Sequence, residues 1–119
     1  MQLSKTDREY GSYTVLDETG TNVKVKKVTI EPGKSISMHR HVQRVEYWFV
    51  AQGVASIYSI NKETGQRVLF AHYPQFEQVW IAKNEWHQLC NERNVPLVIY
   101  EIQYGEACVE GDIERQDKV

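Results

Sequence analysis

The chain has 119 residues, of which 41% are hydrophobic and 25% are charged, and its 14 basic and 16 acidic side chains give a net charge of −2. These are the proportions of one ordinary soluble domain. The near-neutral charge offers no broad electrostatic surface for nucleic acid, and no stretch approaches the roughly 20 apolar residues that a membrane span requires. We therefore expect no nucleic acid and no membrane among its partners.

The chain contains no linker, internal repeat or low-complexity tract, so a single domain is expected over residues 1–119. Its core is expected at about residues 10–105, and a mostly charged, flexible C-terminal tail at about 113–119. The N-terminal residues lack the apolar run of a signal peptide, which favours a cytoplasmic protein. Cys90 and Cys108 show no metal-binding spacing, and a domain of this size needs no disulfide, so both are predicted to be free thiols.

Turn-forming residues recur at regular intervals, and short runs rich in β-branched and aromatic residues lie between them. No window shows a sustained helical periodicity, so at most a short helix near either terminus is expected. Glu31-Pro32-Gly33-Lys34 predicts a type II turn, because proline presets the second position and glycine accepts the positive φ of the third. The chain is therefore predicted to be all-β, a sandwich or small barrel, with strands at 22–30, 46–50, 54–60, 68–73, 78–81 and 97–103.

A pair of histidines follows this turn. His39 and His41 are two residues apart, so in an extended strand their side chains share a face and can reach one ion. Glu46, in the next strand, and His87, farther along the chain, can add a carboxylate and a third imidazole, which suit borderline divalent metals. Each residue alone has a structural alternative, because an isolated His-x-His is usually structural and a lone glutamate is usually solvated or ion-paired. Jointly they predict a site for one divalent metal ion.

The spacing of these residues matches two known motifs. Gly33, His39, His41, Glu46 and Gly53 reproduce the pattern G(X)5HXH(X)4E(X)6G, and His87 with Asn91 reproduces the end of PxG(X)2H(X)3N. The pair resembles the motifs of the cupin superfamily. The resemblance implies a double-stranded β-helix, which is a jelly-roll-like barrel, with the metal inside it. Zinc is the preferred ion, with Mn, Co, Fe and Ni as alternatives.

The second motif departs from its usual form. Ala82 and Asn84 stand where the motif has proline and glycine, and Phe76 stands where it has an earlier glycine. Asparagine tolerates the left-handed backbone conformation that glycine usually supplies, so a remodelled turn is expected at Asn84.

A narrower resemblance runs along nearly the whole chain. The segments 8–17, 25–28, 32–34, 44–48, 95–97, 101–105 and 110–115 look like the type II mannose-6-phosphate isomerase domain. In that family the domain commonly follows a mannose-1-phosphate guanylyltransferase domain, for which this chain has no room, so nucleotidyl transfer is not expected. The chain departs from the family at Tyr10, where tryptophan is usual, at His39, where glutamine is usual, and at Val42, Gln43 and Tyr47, which fall in a stretch that is usually histidine-rich.

This resemblance implies a metal-dependent isomerase that interconverts mannose 6-phosphate and fructose 6-phosphate by proton transfer through an enediol. Such a reaction needs a Lewis acid or hydrogen-bond donor at the carbonyl oxygen, a base above the sugar carbons and cations for the phosphate. The expected partner is therefore a small sugar phosphate. Because an open β-sandwich has edge strands that a second copy can cover, a homodimer is also compatible with the sequence.

Lys26 is a candidate for both catalysis and phosphate binding. It shares strand parity with Val28 and Ile30, which places it on the apolar, inward-facing side. The alternative is the opposite parity, in which Val23 and Val25 face inward and Lys26 is solvated.

Three further residues are candidates for contacts with the substrate. Arg115 lies in the stretch that resembles the isomerases' C-terminal segment, where a planar guanidinium suits a phosphate; the alternative is a solvated tail charge. Glu101 and Gln103 share a strand face, which makes Glu101 a candidate base and Gln103 a candidate partner of sugar hydroxyls. The alternative is that Glu101 and Gln103 belong to a polar outer face of the sheet and do not contact the substrate.

The remaining polar and aromatic residues are assigned structural positions. Arg44, Lys83 and Glu85 are expected at the rim of the site, and His72 has no motif partner. The aromatic side chains expected in the core are Tyr13, Trp48, Trp80 and Trp86.

Two other functions are compatible with this ligand set. Three histidines and one glutamate around Fe(II) would also support an oxygen-using dioxygenase. A non-catalytic sugar-binding cupin is the third reading, in which Tyr10 or the altered turn from Ala82 to Asn84 blocks the chemistry.

Overall fold

The computed structural model describes residues 3–116, and every regular element in that range is a β-strand, which confirms the all-β prediction. The strands are β1 (Lys5–Arg8), β2 (Gly11–Thr19), β3 (Val23–Ile30), β4 (His39–Arg40), β5 (Arg44–Gln52), β6 (Ala55–Ile60), β7 (Arg67–Tyr73), β8 (Gln78–Ile81), β9 (Gln88–Cys90), β10 (Leu97–Gly105) and β11 (Glu114–Arg115). Within this range no helix is long and apolar enough to cross a membrane.

The strands form a sandwich, one of the two architectures that the sequence predicted, rather than a closed barrel. One layer is a six-stranded antiparallel sheet in the order β1-β2-β3-β10-β5-β8. The opposing layer contains the sheet β7-β6-β9 and the pair β11-β4, which isolated bridges at Ser35–Cys90 and His39–His87 connect. Residues from both layers build the apolar core.

The inward face of the large sheet is apolar at one end and polar at the other. Along β3, Lys24 and Lys26 precede Val28 and Ile30, and all four are buried. The neighbouring strand β10 runs antiparallel, so its apolar half comes first and its polar half, with Glu101 and Gln103, comes last. Because the polar halves of antiparallel neighbours lie side by side, the sheet itself builds a polar concave surface at one end.

Three tight turns share one geometry. In each, the third residue has a positive φ: 76° at Gly33, 74° at Phe76 and 64° at Asn84. Each also carries a hydrogen bond from the fourth backbone N–H to the first carbonyl, such as Lys34 N to Glu31 O at 3.0 Å. The type II turn at Gly33 and the left-handed conformation of Asn84 are therefore as predicted, and the other motif position without glycine, Phe76, keeps the conformation as well.

The C-terminal segment is partly paired. Glu114 and Arg115, in the stretch expected to be a flexible tail, pair with Arg40 and His39 of β4. An ion pair of 2.8 Å between the Arg40 guanidinium and the Glu114 carboxylate reinforces the pairing. Residues 117–119 of the expected tail lie outside the described residues.

Several single-residue expectations can be compared with the structure. Cys90 and Cys108 are buried free thiols, as predicted. Trp48 is fully buried, also as predicted, whereas Trp80 is 58% exposed, so its expected core position is wrong. Trp80 points outward because it alternates with the buried Val79 and Ile81 on the edge strand β8.

Candidate metal centre and cavity

Three buried histidines meet at the polar end of the sandwich. His39 and His87 lie directly opposite each other and exchange two backbone hydrogen bonds, of 3.0 and 2.9 Å. His41, two residues beyond His39, faces the same side, so the ring centroids lie 4.4 to 5.6 Å apart. Their candidate ligand atoms all lie within 4.8 Å of one another. The structure thus brings together three of the four residues that the sequence indicated as metal ligands.

The second ring nitrogen of each histidine is held by the backbone. The Nδ1 atoms lie at 2.8, 2.5 and 2.8 Å from the carbonyl oxygens of Ser37, Asp112 and Glu85, respectively. A carbonyl can only accept, so each Nδ1 carries the proton and each Nε2 keeps its lone pair. This arrangement fixes the tautomer and orientation that metal-binding imidazoles need.

Burial keeps these imidazoles neutral. Desolvation, with His87 nearby, lowers the pKa of His39 to about 2, and desolvation with the adjacent Arg44 lowers the pKa of His41 to about 4. Desolvation also lowers the pKa of His87. The His87 Nε2 atom is buried without a hydrogen-bond partner among the described residues. A buried lone pair without a donor is costly, and a divalent ion bound there would satisfy it, so the three residues fit a metal.

The fourth expected ligand, Glu46, is engaged by other side chains. Its Oε2 atom accepts a hydrogen bond of 3.0 Å from Arg44 Nε, forms an ion pair of 3.0 Å with an Nη atom of the same guanidinium, and lies 3.2 Å from His41 Nε2. The other oxygen accepts a 3.0 Å bond from the Trp48 indole. Arg44 is only 5% exposed and also lies 3.2 Å from His41 Nε2, so its expected place at the rim is wrong.

Glu101 and Gln103 face the interior, as their alternation allowed, and the outer-face alternative is wrong. Glu101 accepts hydrogen bonds from the Trp48 indole at 2.9 Å and from the Gln103 amide at 3.0 Å. Burial, followed by the nearby Glu46 carboxylate, raises the pKa of Glu101 to about 8. Gln103 Oε1 is buried without a hydrogen-bond partner among residues 3–116. A protonatable carboxyl and a free amide oxygen thus lie on the same wall.

Lys26 also faces inward, so the alternative with opposite parity is wrong. It is 5% exposed and lies opposite Glu101 in the strand register. Its ammonium is 2.8 Å from the Glu110 carboxylate and 4.2 Å from the centre of the Tyr13 ring. Lys24, the previous inward position, contacts the same carboxylate at 3.3 Å.

Most of these groups line one cavity of about 670 Å³, although His87 and Lys24 are not among its lining residues. The lining groups already described are His39, His41, Glu46, Glu101, Gln103, Lys26 and Glu110. Arg115 lines it from β11, where it lies opposite His39, and Arg8 and Tyr10 line it from the N-terminal strands. Burial, as the largest influence, raises the pKa of Tyr10 to about 12, so its hydroxyl stays protonated. The cavity therefore joins neutral imidazoles, a carboxyl with a raised pKa and several cations in one space.

Three residues that build this site, Arg44, Glu110 and Asp112, were given no role inside it from the sequence. Arg44 has a signal, since it shares strand parity with Glu46 and Trp48. Glu110 and Asp112 lie in an irregular segment, where no periodicity indicates a direction. Asp112 holds the histidine segment, because its carboxylate accepts hydrogen bonds of 3.0 and 2.9 Å from the backbone of Val42 and Gln43.

Comparisons with known proteins support the resemblance to the mannose-6-phosphate isomerase domain. A family model described as mannose-6-phosphate isomerase C-terminal matches residues 2–118. A mannose-1-phosphate guanylyltransferase of Salmonella muenchen is 32% identical over 111 residues, which are 93% of this chain and 22% of that protein. The alginate biosynthesis protein AlgA of Pseudomonas putida is 35% identical over 112 residues, which are 94% of this chain and 21% of that protein. The chain thus spans about a fifth of the length of the curated relatives it matches.

Solved structures agree on the fold. The capsular polysaccharide assembling protein CapF of Staphylococcus aureus superposes with a TM-score of 0.81 at 17% identity, covering 99% of this chain and 33% of that one. An uncharacterized conserved protein of Klebsiella pneumoniae with a double-stranded β-helix domain superposes with a TM-score of 0.71 at 18% identity, covering 88% of this chain and 83% of that one. The predicted double-stranded β-helix fold is therefore confirmed.

Proposed function

The chain belongs to the mannose-6-phosphate isomerase C-terminal family, and on that premise we propose that it is a metal-dependent isomerase of mannose 6-phosphate and fructose 6-phosphate. The observation that carries the proposal is the convergence of three buried imidazoles, from His39, His41 and His87, at a cavity that Glu101 and Lys26 also line. One end of the cavity can hold a metal ion, and the other offers a proton-transfer group and cations for a phosphate, which are the groups that an aldose–ketose isomerisation requires.

The histidine end would hold the metal. His39, His41 and His87 are neutral, oriented by the backbone and buried, which is the state in which imidazole binds borderline divalent ions. A divalent ion bound there would supply a Lewis acid for the carbonyl oxygen of the open-chain sugar.

Glu101 is the group we assign to proton transfer. An enediol reaction removes a proton from one carbon and returns it to the next, so its acid–base group works best with a pKa near the working pH. Burial and the neighbouring Glu46 raise the pKa of Glu101 to about 8, which meets that condition. The Trp48 indole and the Gln103 amide fix the orientation of the carboxyl group.

The cations of the cavity are assigned to the phosphate. Lys26 and Arg115 line the cavity, and Gln103 presents an amide oxygen that can accept a hydrogen bond from a sugar hydroxyl. A guanidinium and an ammonium are the side chains that pair best with phosphate oxygens.

The test is a coupled assay of fructose 6-phosphate formation from mannose 6-phosphate. The full chain is stripped of metal and then loaded with Zn, Mn, Co or Fe(II), and His87→Ala is compared with His72→Ala. His87 Nε2 lies in the candidate centre, whereas His72 is exposed and bonded to Ser56, away from the cavity. We expect metal-dependent turnover in wild type and His72→Ala, and in His87→Ala at least about 100-fold weaker metal affinity with loss of turnover.

Two results would contradict these assignments separately. Full metal occupancy in His87→Ala would refute the metal centre. Absence of turnover by wild type with every metal, at full occupancy, would refute the isomerase activity and leave the fold assignment unaffected.

A further inference from the structure

Two neighbouring lysines are buried on the inner face of β3, and one of them, Lys26, lines the cavity. Lys24 and Lys26 occupy consecutive inward positions of β3, and they are 9% and 5% exposed. Two ammonium groups removed from water repel each other and lose hydration, so they require an anion between them. Glu110 provides it: one of its carboxylate oxygens lies 2.8 Å from Lys26 Nζ and 3.3 Å from Lys24 Nζ.

Three cations are grouped at this wall, and besides Glu110 a second, more distant carboxylate, Glu18, lies 4.0 Å from Lys24 Nζ. The Tyr13 ring is near Lys26 and a third cation, since Lys26 Nζ is 4.2 Å from the ring centre and the Arg8 guanidinium carbon is 5.3 Å from it. Arg8 also donates a hydrogen bond of 3.4 Å to the Tyr13 hydroxyl and lines the cavity. Three cations in one corner suit a dianion better than a single carboxylate.

The Glu110 side chain is placed where it can move away from Lys24 and Lys26. It is 55% exposed, whereas the side chains of Lys24 and Lys26 are 11% and 7% exposed. The next residue, Gly111, has open space around its Cα atom, and Asp112 beyond it is anchored to the backbone of Val42 and Gln43. The glycine therefore lets Glu110 turn outward while Asp112 keeps the histidine segment in place.

We propose that the Glu110 carboxylate is an internal competitor for the phosphate site: the phosphate group of the substrate binds Lys24 and Lys26 by displacing Glu110. The inference rests on the proposed function for the identity of the substrate as a phosphate monoester. It adds Lys24 to the phosphate site and gives Glu110 the role of setting its affinity. Because the competing carboxylate must be displaced first, the apparent affinity for phosphate is lower than that of the exposed lysine pair.

The experiment measures binding of inorganic phosphate and of mannose 6-phosphate to the full chain by calorimetry, at fixed ionic strength. Glu110→Gln is compared with wild type and with Glu18→Gln. Glu18 is a matched control, because it lies 4.0 Å from Lys24 Nζ and its side chain is 56% exposed, but it has no contact with Lys26 among the described residues. Both substitutions remove one negative charge near the same lysine.

We expect Glu110→Gln to bind phosphate at least about fivefold more tightly than wild type and Glu18→Gln to stay within about twofold. Adding Lys26→Met to the Glu110→Gln variant or to the Glu18→Gln variant should weaken phosphate binding at least about tenfold. Glu110→Asp, which keeps the charge but shortens the reach, should give an intermediate affinity, and it replaces Glu110→Gln if that variant fails to fold.

Equal phosphate affinity in wild type, Glu110→Gln and Glu110→Asp would overturn the proposal, and so would equal tightening in Glu18→Gln. Absence of phosphate binding by all variants would overturn it as well. These results are independent of turnover: tighter binding without isomerisation contradicts only the proposed function, and isomerisation with unchanged phosphate affinity contradicts only the role of Glu110.

Discussion

Arg44 places a positive charge inside the candidate metal centre. Its guanidinium contacts both the Glu46 carboxylate and His41 Nε2, and it donates a further hydrogen bond of 3.2 Å to the carbonyl of Val109. A buried ion pair of this kind orders the site, but the cation repels an incoming metal ion and occupies a carboxylate that would otherwise attract it.

Arg44→Met should therefore bind a divalent metal more tightly than wild type, by about tenfold, while the metal-free protein loses stability because Glu46 is left buried without its partner. Zn²⁺ calorimetry and thermal unfolding of the metal-free protein measure the two effects. Arg67→Met is the control, since it removes a guanidinium that lies over the half-buried Tyr58 ring and does not line the cavity. Weaker metal binding in Arg44→Met would show that Arg44 supports the centre instead of opposing it.

At the level of single residues, strand alternation predicted which side chains face inward, and composition did not. The inward positions of Lys26, Glu101 and Gln103 followed from the buried residues next to them in the same strands. Arg44 has the same signal, but a charged residue before a motif glutamate was assigned to the rim because arginine is usually exposed. Glu110 lies outside the strands, and only the folded chain brings it to the lysines.

The three type II turns show how an element keeps its geometry when its glycine is replaced. The turn Pro74–Glu77 has a hydrogen bond of 3.1 Å between Glu77 N and Pro74 O, although Phe76 holds the left-handed position. A non-glycine residue there costs about 1–2 kcal/mol, and the Phe76 side chain recovers little, since it is 64% exposed and stacks only on Phe49.

Phe76→Gly should therefore stabilise the protein by about 0.5–1 kcal/mol, after the larger backbone entropy of glycine in the unfolded chain is subtracted. Denaturant unfolding measures the change. Phe76→Ala is the matched variant, because it removes the same ring and keeps the strained conformation, so it should be no more stable than wild type. If the two variants have equal stability, the positive φ is not the source of the effect.

Among the elements, most strands of four or more residues were predicted, but β1 and the nine-residue β2 were missed, and so were the shortest strands. The six predicted strands correspond to β3, β5, β6, β7, β8 and β10 within a few residues. The strands β4, β9 and β11 have two or three residues each, and they exist because the histidine segment, the segment after His87 and the C-terminal segment are brought together by the fold. Such pairings are long-range, so no local pattern contains them.

At the scale of the whole molecule, the sandwich pairs a conventional apolar core with a polar half that is costly to bury. Val28, Ile30 and Ile99 fill one end, while Lys24, Lys26 and Glu101 continue the same strands at the other. Each buried polar group must be hydrogen-bonded, paired or neutral, or it destabilises the fold. The titratable groups of this half therefore couple the stability of the molecule to pH.

Stability of the metal-free protein should be highest near pH 6.5. The histidines of the centre have folded pKa values below the usual 6.5, about 2 for His39 and about 4 for His41, because of burial. The unfolded chain therefore takes up more protons than the folded chain below pH 6.5, so stability falls as the pH falls through that window. Burial raises the pKa of Glu101 from 4.5 to about 8, so the folded chain holds an extra proton between these values and this group alone makes stability fall as the pH rises from 4.5 to 8. Below pH 6.5 the three histidines outweigh this opposing contribution, whereas between pH 6.5 and 8 the contribution of Glu101 is the larger one.

Thermal unfolding between pH 4.5 and 8.5, with a chelator present, measures both slopes. One pKa unit corresponds to about 1.4 kcal/mol, so a drop of at least about 5 °C in Tm is expected from pH 6.5 to 4.5. Glu101→Gln separates the two causes, since it removes the carboxyl group and keeps an amide of similar shape. In that variant the decline between pH 6.5 and 8 should disappear, and the acid decline should remain and steepen because the opposing contribution of Glu101 is gone. An unchanged alkaline decline would mean that Glu101 is not the group that titrates there and that its pKa in the folded protein is not raised, which would remove the reason for assigning it to proton transfer.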